Sequence, residues 1–159
     1  MGAGKVFCII GGILALLAMF VFTLYNNIFV GIGSGYGIFI NFVNTMQSGN
    51  IIAIIFTILF AISTISGIFI IIGVKSRIIA IIGAIFVLVL GILLMITPGL
   101  QIIINTDIEA AMQSFATDFS LGGIIPYDFL IGFGDLSLGW IFLLAGGGLG
   151  LIGGILGPE

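Results

Sequence analysis

Residues 68 to 85 read IFIIIGVKSRIIAIIGAI, and Lys75-Ser76-Arg77 is the charged break between two apolar runs, Ile51 to Val74 and Ile78 to Thr97. Each run is long enough to cross a hydrocarbon core of ~30 Å as a helix, which takes about 20 residues. A connection this short is a tight turn, so the two runs form a helical hairpin. Its basic turn marks the cytoplasmic face by the positive-inside bias.

Two further runs reach spanning length, Val6 to Tyr25 and Leu136 to Leu156. A spanning helix bonds every backbone polar group internally, which is the condition for a lone segment in lipid. Lys5, at the start of the first run, joins Lys75 and Arg77 as the whole basic complement of the chain. Five of the six acids lie between Asp107 and Asp135. The charges therefore sort into a four-span protein of the cell membrane with both ends cytoplasmic and the connections 26–50 and 98–135 outside. The chain forms one integral membrane domain over residues 1–159, an all-α bundle of four transmembrane helices.

Composition agrees. With 61% hydrophobic and 6% charged residues and a mean hydropathy of +1.49, membrane lipid is the chain's main surroundings. The first span carries a basic start like a signal peptide, but Phe22-Thr23-Leu24-Tyr25 follows it where a small-x-small cleavage site would stand. Nucleic acid is not an expected partner, because no basic footprint is present to neutralise phosphates.

A repeat is visible between Lys5-Val6-Phe7-Cys8-Ile9-Ile10-Gly11-Gly12-Ile13 and Arg77-Ile78-Ile79-Ala80-Ile81-Ile82-Gly83-Ala84-Ile85. The ends of spans two and four also correspond, Gly67 to Gly73 against Gly150 to Gly157. Together they describe a duplicated two-helix hairpin.

Helices in lipid associate through close backbone approach, which small residues four apart permit. The fourth span carries the strongest such ridge, Gly146, Gly150 and Gly154. The ridge serves packing within the bundle or, since it offers more small surface than one neighbour needs, self-association between copies. Polar groups at depth flag function because burying them is costly. Here they are the hydroxyls of Thr57, Ser63, Thr64 and Ser66, which either bond back to their own helix or line a pore.

The outer connections are apolar for exposed segments. Residues 28–43 and 121–134 are too short and too broken by Gly or Pro to span, so they are expected to be re-entrant, interfacial or covered by a partner. Between them Thr106-Asp107-Ile108-Glu109 is a capping box. Ile108, Ala111, Met112, Phe115 and Phe119 follow on one face, an outer amphipathic helix over 107–119.

Chemical motifs are scarce. Gly33-Ser34-Gly35-Tyr36-Gly37 contains the Gly-Tyr-Gly of potassium filters without the preceding Thr-Val. With no His and a single Cys, Cys8, the chain lacks the parts of a zinc site or a nucleophile–base pair. The outer acids have no calcium-loop spacing. No catalytic residue, cofactor, metal or soluble substrate is expected, and an enzyme is not the reading.

The basic-x-x-x-Ile-Ile-Gly-Gly-Ile opening, the Gly73-Val74-Lys75-Ser76-Arg77 turn and the Gly-rich last span resemble small four-span membrane proteins of archaea and bacteria. The topology is similar in outline to tetraspanins and claudins, whose stapling Cys pairs are missing here. The resemblance implies a fold and no activity. The function expected from the residues is structural: a tetraspan protein that associates with copies of itself or with other membrane proteins through span four and the apolar outer loops. The alternative is an oligomeric channel.

Overall fold

A computed structural model describes residues 2–27, 31–96, 127–129, 131–132 and 134–157. Helix α1 covers Ala3–Phe20, the short strands β1 and β2 cover Tyr25–Asn27 and Gly31–Gly33, and helix α2 covers Gly35–Gln47. Helices α3, α4 and α5 cover Ile51–Ile72, Arg77–Leu94 and Leu138–Leu156. The four helices α1, α3, α4 and α5 are long and apolar enough to cross a membrane. The protein is therefore an integral membrane bundle, mostly helical. The outer amphipathic helix expected over 107–119 lies outside the described residues.

Around the bundle the neighbours run α1, α3, α4, α5 and back to α1. This ring sets α1 diagonal to α4 and α3 diagonal to α5, the placement that two copies of one hairpin about an axis along the bundle would require. The helices are apolar all round, so polarity does not choose their inner faces. Residue size does. On α4 the buried set is Ala80, Gly83, Ala84, Val87, Leu90, Gly91 and Leu94, while Ile78, Ile82, Ile85, Val89 and Ile92 are exposed. The Ala and Gly residues of α4 turn inward, with Val87, Leu90 and Leu94 filling the spaces between helices, because helices in lipid gain by close approach, and most of its isoleucines turn outward.

The first span ends five residues before its expected limit at Tyr25. The Val21 amide still donates to Leu17 at 2.9 Å, and then the backbone turns extended and bonds across the fold. Thr23 donates to Tyr127 O at 3.0 Å, Leu24 to Gly33 O at 2.8 Å and Asn26 to Asp135 O at 2.8 Å. Those distant carbonyls replace the helical partners, so the helix stops where the extended segment begins. β1 and β2 pair antiparallel with Tyr25 opposite Gly33. A β-carbon on Gly33 would collide with the Tyr25 ring, so glycine there lets the ring lie buried over the strand.

Within the apolar run 28–43, the described residues form β2 and most of α2. Ser34 caps α2 by accepting from the Gly37 amide at 3.2 Å, which places Gly35-Tyr36-Gly37 in a helix and not in a filter. The turn Ser48-Gly49-Asn50 then returns the chain to α3. Gly49 takes the left-handed φ of 71° there, and the Asn50 side chain caps α3 by accepting from Ile52 and Ala53.

Candidate functional site

The glycine ridge of α5 is taken up inside the chain. A β-carbon on Gly146 would lie 2.7 Å from Ala15 N and from Gly11 O of α1. One on Gly150 would lie 2.8 Å from the Ile70 side chain of α3, across the diagonal, and one on Gly154 2.7 Å from Ile81 of α4. Each ridge glycine thus meets a different helix of the same bundle. Gly11 and Gly153 answer from the α1–α5 seam, with hypothetical β-carbons 2.6 Å from Gly146 O and 2.7 Å from Cys8 Sγ. The ridge is buried within the chain's own bundle. Gly148, by contrast, has open space beside it.

The four hydroxyls of α3 do not share a path. Thr57, Ser63 and Ser66 are buried within the bundle, and Thr57 donates back to Ala53 O at 2.8 Å. Ser63 reaches across to Phe86 O of α4 at 3.4 Å. Thr64 donates to Phe60 O at 3.0 Å and faces a crevice beside α2. Back-bonding satisfies the Thr57 and Thr64 hydroxyls within their own helix, while the Ser63 hydroxyl finds its acceptor on α4.

The polar chemistry collects instead around Asp128, at the end of the bundle that carries β1 and β2. Its carboxylate accepts from Thr23 Oγ1 at 2.7 Å, from Ser137 Oγ at 3.1 Å and from the Asn26 amide. Thr23 and Ser137 are themselves fully buried, so their hydroxyls depend on this acceptor. Ser137 immediately precedes α5, so this contact ties the Asp128 segment to the start of that helix. Backbone bonds fasten the same segment: Tyr127 N to Val21 O at 2.8 Å and Leu138 N to Phe129 O at 2.8 Å. Beside it the Tyr25 phenol is wholly buried, and burial pushes it above the usual phenol range, so it stays neutral.

The knot fixes a short exposed loop. Tyr127 and Phe129 flank Asp128 with relative exposures of 41% and 56%, and the Tyr127 ring rests 6.2 Å from that of Phe22. In the sequence Asp128 is only one of the acids without calcium-loop spacing. Its partners lie 105 and 102 residues away, and only Ser137 was near enough to hint at the contact.

At the opposite end Arg77 begins α4 and closes α5. Its Nε donates to Gly154 O at 3.3 Å and its Nη2 to Ile155 O at 2.6 Å, so a cation caps the carbonyl end of a neighbouring helix. The start of α1, the end of α5 and the basic turn gather here, and Asp128 and Asp135 lie at the end that carries β1 and β2. No group of His, Cys, Asp or Glu among the described residues is arranged to hold a metal. Asp107, Glu109 and Asp118 lie outside the described residues. No protein family, curated protein or solved structure matches the chain.

Proposed function

We propose that this is a structural tetraspan protein of the cell membrane, with both ends cytoplasmic, that associates with copies of itself through the outer Tyr127–Phe129 loop. The observation that supports the reading is the Asp128 knot. It spends a carboxylate, an amide and two buried hydroxyls on holding two aromatic residues outward. A rigid aromatic loses little freedom on docking and carries much of the energy of contacts of this kind. The bundle below acts as a platform, closed by glycine contacts and, among its described residues, without an ionisable side chain in mid-span that would serve a proton relay or voltage sensor.

The test is the oligomeric state of Phe129→Ser, measured by mass in native nanodiscs. A smaller assembly with unchanged thermal unfolding supports the reading. An unchanged assembly removes the loop as its contact.

A further inference from the structure

We propose that the crevice between α2 and α3 is a seat for one acyl chain of a membrane phospholipid. It is lined by Phe39, Phe42 and Val43 of α2 and by Phe60, Ala61 and Thr64 of α3, and encloses about 260 Å³. Phe60 and Thr64 lie roughly 14–20 Å along a helix about 33 Å long, at 1.5 Å per residue. The crevice therefore opens near the middle of α3.

Helix α2 cannot close the gap, because it is held at both ends. At its start the Gly35 backbone presses on Met19 O of α1, and the Phe39 ring meets that of Phe20 at 5.9 Å. At its end the Ser48-Gly49-Asn50 turn ties it to the capped start of α3. Between those ties Phe39 and Phe42 of α2 and Phe60 of α3 line the gap.

Water does not suit the space. A buried water needs two to four polar partners, and the hydroxyl of Thr64 already donates to Phe60 O. Hydrocarbon suits it on every wall. Ala61 also shares a helix face with Ile65 and Ile68, which are exposed at 49% and 46%, so the crevice is continuous with the lipid-facing surface of the span. Phe39 and Val43 stand open at 57% and 61% and leave a lateral entrance. An empty apolar slot forfeits its dispersion contacts, and the medium facing the entrance is acyl chain.

The test reconstitutes the full chain in vesicles of phosphatidylcholine and phosphatidylglycerol with a trace of phosphatidylcholine bearing a diazirine at mid-chain. After photolysis, labelled residues are located by peptide mass spectrometry. The expected label on Phe39, Phe42, Val43 or Ala61 exceeds several-fold that on Ile85 and Ile92, which are comparably exposed on α4. Ala61→Phe, which fills the slot, loses the excess and keeps the α4 label. Even labelling over all exposed apolar residues would overturn the proposal. Protection of Phe39 and Val43 from label would overturn it too, since a second copy or another part of the chain would then be the occupant. If Ala61→Phe does not fold, the wild-type distribution decides alone.

Discussion

Gly146 and Gly148 sit two residues apart on α5 and give opposite expectations. A methyl on Gly146 would stand 2.7 Å from Ala15 N and Gly11 O, both backbone atoms of α1. Ordinary contacts between such atoms are ~3.5–4.0 Å, so Gly146→Ala must push α1 and α5 apart by about 1 Å. Backbone cannot step aside as a side chain can. Overpacking of this kind costs about 1–3 kcal/mol. A methyl on Gly148 meets nothing within 4 Å, and Ala is the better helix former by roughly 0.5–1 kcal/mol. Gly148→Ala should leave stability equal or slightly raised. Both variants go through thermal and SDS unfolding followed by circular dichroism, with native gels in parallel. The expected result is a destabilised Gly146→Ala of normal assembly size beside an unaffected Gly148→Ala. Equal effects, or a Gly146→Ala that loses assembly at unchanged stability, would refute the internal role of the ridge.

Asp128→Ala leaves the buried hydroxyls of Thr23 and Ser137 without their acceptor, so unfolding should become easier by about 1–3 kcal/mol. Asp128→Asn, which keeps one acceptor oxygen, should lose less in the same assay. Arg77→Lys replaces a two-pronged donor by a single ammonium and should cost no more than about 1 kcal/mol. Hydrogen exchange at the last turn of α5 reads the effect as faster exchange. In a chain with Cys8 replaced by Ala, an impermeant thiol reagent added outside should modify a Cys placed at Gln113 and miss one at Ser76. The reverse pattern would invert the assignment of sides.

Hydropathy and length made the four spans legible, because lipid demands about 20 apolar residues whatever the fold. The basic Lys75-Ser76-Arg77 turn set two of them antiparallel. Small-residue spacing announced that α5 is approached closely, and it carries no information on what approaches. Gly146 faces α1, Gly150 faces α3 and Gly154 faces α4, an arrangement that depends on the whole ring. The back-bonding of Thr57 and Thr64 is local and was within reach of the sequence. The early end of α1 was not, because Thr23, Leu24 and Asn26 leave the helix for carbonyls of Tyr127, Gly33 and Asp135. The Asp128 knot was hidden for the same reason. Helix α2 was concealed by its glycines, since Ser34 is a cap only once the Gly37 amide turns back to it.

The central claim is that copies of the chain meet through the outer loop while the fourth span is occupied within its own bundle. Intermolecular disulfide formation tests it most directly, in chains with Cys8 replaced by Ala and a single Cys at position 129 or 148, oxidised in native membranes. The account predicts covalent dimers from position 129 and none from position 148, the open flank of α5. Dimers from position 148 without dimers from position 129 would contradict it.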